Sequence, residues 1–320
     1  MSDKASPSTL TRAVRIAVAV GLTAFVLWKA DLSAVARATK DLDPGWAGAA
    51  VLLVLVDRSL NAYRWIALLC ALTPGSRPPF AAVLRIFFVS TFVGTFLPSV
   101  GGDIYRAYSL AREDVRVSES AASVLMDRVL GVLSIVLLAI AAIVVVPNYA
   151  SDARVAAALG VASAGCVAVG ACVFSERAAG RIQQMIGRLP GARLQRIALT
   201  LSEAVRRYSR HRTDLLQVLA ASVGVQILRV VQAYCLGRGL GIDLPIVLYF
   251  VFIPLVMLVM QIPVTVAGLG TGQVAFDALF GQAGVAASQA AALSILFIAL
   301  GFVGNLPGAI LWAFERPRTR

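Results

Sequence analysis

The sequence predicts an all-α integral membrane protein, a polytopic helical bundle with re-entrant or broken helices, filling residues 1–320 as one membrane domain. Three observations predict it. Hydrophobic residues make up 59% of the chain and charged residues only 14%, where globular chains run near ~45–50% and ~25%. Apolar stretches approaching the ~20 residues that a helix needs to cross a bilayer recur from end to end. Proline and glycine interrupt two of them, at Pro98-Ser-Val-Gly101-Gly102 and at Pro263 through Gly268-Leu-Gly270.

The first apolar segment, residues 13–28, follows Lys4, Arg12 and Arg15. Ala34-Val35-Ala36 offers a signal-peptidase site, but Trp28, Lys29 and Asp31 separate it from the apolar core, so a retained helix is expected. The second span, 46–70, contains Asp57, Arg58, Asn61 and Arg64. Its ten Val, Leu and Ile residues offer about −3 to −6 kcal/mol on insertion scales, against about +5 to +7 for two central charges. Neighbouring helices must therefore satisfy those groups.

Residues 80–97 are apolar apart from Arg85 and end at Pro98, which cannot continue a helix. Spans at 120–146 and 155–174 form a helical hairpin around the polar turn 147–154. Between 175 and 213 nine arginines face two glutamates. Ile182, Met185, Ile186 and Leu189, then Leu194, Ile197, Leu201, Val205 and Tyr208, keep helical spacing. Two amphipathic helices on the inner leaflet are expected there, with the arginines either fixing topology or contacting anionic lipid. Further spans run over 214–236, 245–262 and 288–313.

Placing 175–213 on the cytoplasmic side puts 98–119 and the C-terminus there too, and a cytoplasmic N-terminus, which Arg12 and Arg15 suggest, puts 71–79 there as well. Residues 80–97 then have two cytoplasmic flanks and should dip in and return. The Pro263 break belongs to an element entered from the other face. The two breaks echo one another in opposite orientation, the pattern of inverted repeats.

Ionisable groups inside spans are expensive and are functional candidates. Asp57, Asn61 and Arg64 share one helix face at i, i+4, i+7 with Arg58 adjacent; Asp127 and Arg128 open another span, Arg229 marks a third, and Arg85 lies in the re-entrant stretch. Internal ion pairing that holds the bundle together competes with a ligand role for each. Arg58, Arg64, Arg85, Arg106, Arg128 and Arg229 outnumber Asp57, Asp103 and Asp127, and a cationic surplus fits a phosphate, which matches the guanidinium fork. Gly101-Gly102-Asp103 opens a helix whose N–H groups favour an anion, or Asp103 caps it and pairs with Arg106. Gly268 and Gly272 form either a packing face or ligand-admitting backbone; with Gln273 they lack a nucleotide-loop pattern.

Cys70, Cys166, Cys172 and Cys235 sit in apolar runs without metal-site spacing, and His211 is the lone histidine, so a Ser-His-Asp triad is unavailable. No metal, cofactor or nucleic-acid partner is expected.

Phe96-Leu-Pro98-Ser-Val-Gly101-Gly102-Asp103-Ile-Tyr-Arg106, then Ala121 through Asp127-Arg128-Val-Leu-Gly131, then Pro263 through Gly268-Leu-Gly270 with Ala275-Phe276, resemble the lysylphosphatidylglycerol synthase transmembrane region. The resemblance covers nearly the whole chain. It implies a cytoplasmic-membrane protein of the flippase-like kind, without the soluble synthase domain, and points to Pro98, Gly102, Asp103, Arg106, Asp127, Arg128, Pro263, Gly268 and Gly270. Asp103 and Asp127 stand where glutamate is expected, and Gln273 stands in place of an acidic residue, removing a counter-charge for a cationic headgroup. The expected function is translocation or handling of an anionic or phosphate-bearing lipid. A membrane-embedded enzyme, or an accessory subunit acting on hopanoid or polyprenyl-linked lipids, is the opposing class. Expected partners are membrane lipids, anionic inner-leaflet lipids at 175–213, and a second copy or a lipid-modifying enzyme.

Overall fold

A computed structural model describes residue 40, residues 42–72, 79–95, 101–111, 115–146, 192–261 and 271–313, and isolated positions between 160 and 187. The described residues are helical, with no strand among them. The helices are α1 (Pro44–Leu72), α2 (Phe80–Gly94), α3 (Gly101–Ala111), α4 (Val117–Val145), α5 (Ala192–Arg207), α6 (Arg212–Gly239), α7 (Ile246–Met260), α8 (Thr271–Gln282) and α9 (Ala287–Ala313), with a 3₁₀ turn at Tyr208–Arg210 joining α5 to α6.

By length and apolar composition α4, α6 and α9 can cross a membrane. α1 is as long as α4 but carries three charges near its middle. Leu52, Val56, Val144, Val145 and Ile310 are exposed on these helices, an apolar outer surface that suits hydrocarbon rather than water.

α1 and α6 run antiparallel. The Asp43 N–H donates to the Gly239 carbonyl at 3.0 Å at one end, and the Tyr208 hydroxyl donates to the Leu68 carbonyl at 2.9 Å at the other. α9 starts at the first of these ends, where the Gln289 side chain donates to the Leu240 carbonyl. Further along, Gly304 passes Arg58 of α1, the Asn305 amide donates to the Thr95 hydroxyl at 2.9 Å and Gly308 packs on the Phe88 carbonyl, so the second half of α9 lies along α2.

The chain repeats itself around the α1–α6 pair. α1 to α4 measure 29, 15, 11 and 29 residues, and α6 to α9 measure 28, 15, 12 and 27. The packing repeats as well: α2 on α9 has its counterpart in α7 on α4, α3 on α4 in α8 on α9, and α1 on α9 in α6 on α4. With α1 and α6 antiparallel, the two halves are inverted copies. The expected inverted repeat is thus present as helix–hairpin–helix units, with broken hairpins entering from opposite ends.

Each hairpin is too short to cross. Fifteen residues span about 22 Å, less than the ~30 Å hydrocarbon core. A Cβ on Gly102 would stand 2.9 Å from Gly94 Cα and 2.7 Å from the Ser90 carbonyl oxygen, so α2 and α3 touch backbone to backbone just past the break. Gly272 likewise packs against Met260. The re-entrant element is longer than expected: the descending arm is α2, but the returning arm is Gly101–Ala111, which the charge count assigned to a cytoplasmic loop. Arg106 misled that count, because it is buried against a carboxylate and does not mark an aqueous face. Likewise, the span expected over 245–262 is the 15-residue α7, one arm of the second hairpin. Residues 13–28, most of 155–174 and most of 175–191 lie outside the described residues.

Candidate functional site

Halfway along α1, Asp57 is 1% exposed and Arg64 3% exposed, so this face points into the bundle. Asp57 is held by two guanidiniums, from Arg58 at 3.2 Å and from Arg229 of α6 at 3.1 Å. Arg58 also donates to the Gly301 carbonyl of α9 at 3.3 Å. The Asn61 amide donates to the Asp57 carbonyl and accepts from Arg64, at 2.8 and 3.0 Å. A polar seam therefore runs two turns down α1, from the Asp57 carboxylate through Asn61 to Arg64.

At its lower end Asp127 of α4 is likewise held by two guanidiniums. Arg64 reaches one carboxylate oxygen at 2.9 Å, and Arg106 of the hairpin lies 3.5 Å from the other. Arg106, 8% exposed, donates from Nε to the Ser90 hydroxyl across the hairpin at 3.1 Å. Its guanidinium lies over the Trp65 ring at 5.0 Å and the Phe87 ring at 4.8 Å. Such a stacked, desolvated cation gains up to ~2 kcal/mol from the ring faces while keeping its N–H edges in the guanidinium plane for acceptors.

The arrangement carries four arginines against two aspartates, and the Nε groups of Arg58 and Arg64 are buried with no hydrogen-bond partner among the described residues. Burying a net positive charge is costly unless an anion accompanies it. Gln226 of α6 lines the same level, donating to the Ser134 hydroxyl at 3.1 Å, and Gly131 lies beside Arg64.

Asp103 lies in the first turn of α3, and its ion pair is with Arg128 at 2.7 Å rather than with Arg106, a pair more exposed than those of the seam. The expected pairing of Asp103 with Arg106 is replaced, because Arg106 faces inward to Asp127 while Arg128, the next residue on α4, turns outward to Asp103. Arg85 joins neither cluster, and its Nε is buried without a hydrogen-bond partner among the described residues. Gly101 and Gly102 open α3, and Gln273 is exposed on α8. Pro98, Pro263, Gly268 and Gly270 lie outside the described residues.

Trp65, Phe87 and Ser90 belong to the site and were not singled out in the sequence. One signal was available. Ser90 and Arg106 lie eight residues either side of Pro98, and Gly94 and Gly102 four, so a chain folded back at Pro98 brings each pair together.

At the bundle end near α5, Glu119 in the first turn of α4 accepts from Arg116 and from Arg207, the latter at 2.7 Å. Ala204, Val205 and Tyr208 are buried among Leu68, Ala122 and Val218, so the end of the basic amphipathic helix is docked on the bundle. Burial pushes the Tyr208 phenol well above its ordinary pKa, with Asp127 adding to the effect, and it remains a donor to Leu68.

The sequence profile of one protein family, described as the lysylphosphatidylglycerol synthase TM region, matches residues 12–308. No curated protein matches the chain.

Proposed function

We propose a lipid-translocating role on the premise that this chain belongs to the lysylphosphatidylglycerol synthase transmembrane region family, a membrane family concerned with lipid. In this reading the seam from Arg58 to Arg106 receives a phosphate-bearing headgroup midway through the bundle, and the chain carries that lipid between leaflets. One observation carries it: two carboxylates inside the bundle, Asp57 buried and Asp127 half-buried, each shared by two arginines, which leaves guanidinium charge over. Phosphate oxygens accept from guanidinium forks in the geometry that carboxylates use, so a headgroup can take over contacts that Asp57 and Asp127 now hold.

The inverted hairpins support the same reading. Transporters built from inverted repeats place their sites where broken helices meet near mid-depth, and Asp57 is the fourteenth of 29 residues in α1. The arginine-rich α5 fits a cytoplasmic face against anionic inner-leaflet lipid, with both termini on that side of the cytoplasmic membrane and residues 1–320 acting as one domain.

The test is reconstitution in liposomes containing a fluorescent phosphatidylglycerol, read by chemical quenching of the outer leaflet. Wild type should equilibrate the label between leaflets with the lipid chemically unchanged. Arg64→Ala with Arg106→Ala should abolish movement in a chain that still purifies as a folded species. Normal movement by that double variant would sink the site assignment, and a chemically altered lipid would favour the enzymatic class instead.

A further inference from the structure

We infer that the headgroup taken by this site carries two negative charges and no ammonium group, as a phosphomonoester, a diphosphate or two linked phosphodiesters do. This rests on the proposed headgroup role and adds to it the charge of the substrate.

The charge count is local. Asp57 with Arg58 and Arg229 forms one triad of net charge +1, and Asp127 with Arg64 and Arg106 forms a second. Asp103 and Arg128 cancel one another at the more exposed rim. The triads are seven residues apart along α1, about 10 Å, and Asn61 lies between them, donating to the Asp57 main-chain carbonyl and accepting from Arg64. Among the described residues the seam therefore holds a surplus of two. A single phosphodiester neutralises one triad and leaves the other charged. An aminoacyl ester with free ammonium groups adds to the surplus and is repelled. A dianion closes the balance, and the buried Nε donors of Arg58 and Arg64, without partners among the described residues, place one unfilled donor in each triad.

At an effective dielectric near 20, one uncompensated charge about 10 Å away corresponds to roughly tenfold in affinity. The experiment is a lipid-binding panel on the full chain in phosphatidylcholine nanodiscs at pH 8, with phosphatidate, cardiolipin, phosphatidylglycerol and lysylphosphatidylglycerol as probes. Phosphatidate or cardiolipin should bind about tenfold more tightly than phosphatidylglycerol, with the lysyl ester weakest. The two dianionic sources separate on acidification: phosphatidate binding should fall through about pH 6, where a monoester regains its second proton, and cardiolipin binding should not. Arg229→Gln, which lowers the surplus by one, should bring phosphatidylglycerol to near parity. Equal or tighter binding of phosphatidylglycerol by wild type overturns the charge inference and leaves lipid binding standing, as does preference for the lysyl ester. Binding of none of the four overturns both.

Discussion

Arg64 and Asp127, 63 residues apart in the chain, meet at 2.9 Å inside the bundle, and Asp127 keeps a second arginine, Arg106, on its other oxygen. The two partners are therefore not equivalent. Removing Arg64 leaves Asp127 still engaged by Arg106, whereas removing Asp127 strands two buried cations. Asp127→Ala should cost on the order of 3–5 kcal/mol and Arg64→Ala clearly less, read as thermal unfolding in detergent. Equal losses would contradict the shared-carboxylate geometry.

The hairpin contact predicts a steric effect with an internal control. Gly102→Ala drives a methyl to 2.7 Å from the Ser90 carbonyl oxygen, while a methyl added at Gly48, on α1, would meet nothing within 4 Å. Gly102→Ala should destabilise by about 1–3 kcal/mol and weaken lipid movement by displacing Arg106. Gly48→Ala should be neutral or stabilising by up to ~1 kcal/mol. Both are read in the same unfolding assay.

Glu119 ties α4 to the last turn of α5 through Arg207. Glu119→Gln should loosen α5 without disturbing α6, whose contacts with α1 are independent of that carboxylate. Hydrogen exchange is expected to quicken over residues 192–210 and to stay unchanged over 218–236. Unchanged protection at 192–210 would mean that Val205 and Tyr208 alone hold the helix.

The inverted arrangement fixes which ends lie together. After replacement of the native cysteines, single cysteines at Val117 and Arg210 should be labelled from one side of the membrane, the cytoplasmic one, and cysteines at Asp243 and Gly284 from the other. Labelling of Val117 and Asp243 from the same side would exclude the inverted repeat in the membrane.

The outline of the fold was legible because hydrocarbon imposes length and apolarity on any span, and α4, α6 and α9 satisfy those demands directly. The inward face of α1 was legible for the same reason: Asp57 and Arg64 could not remain in lipid. The partners were less legible. Asp103 and Arg106 are three residues apart and invite pairing along one helix, yet the hairpin turns them to different neighbours, Arg128 and Asp127. Such choices depend on how α3 is turned against α2, which the close contact of Gly94 and Gly102 sets and helical periodicity does not record. Trp65 and Phe87 read as ordinary core residues, and only the approach of Arg106 gives their ring faces a charge to hold.

The pairing of Asp57 with Arg229 also has a consequence for synthesis. The arginine is made 172 residues after the aspartate, which at about 5–20 residues per second is a delay of roughly 10–35 s. During that interval α1 holds its carboxylate with Arg58 alone and lacks the helix it runs against. A nascent chain truncated before Arg229 should therefore stay beside the insertion machinery, where photo-crosslinking from residue 57 would capture it, while a chain extended past α6 should lose that crosslink. The order of translation thus sets when the first charged helix can leave for the lipid.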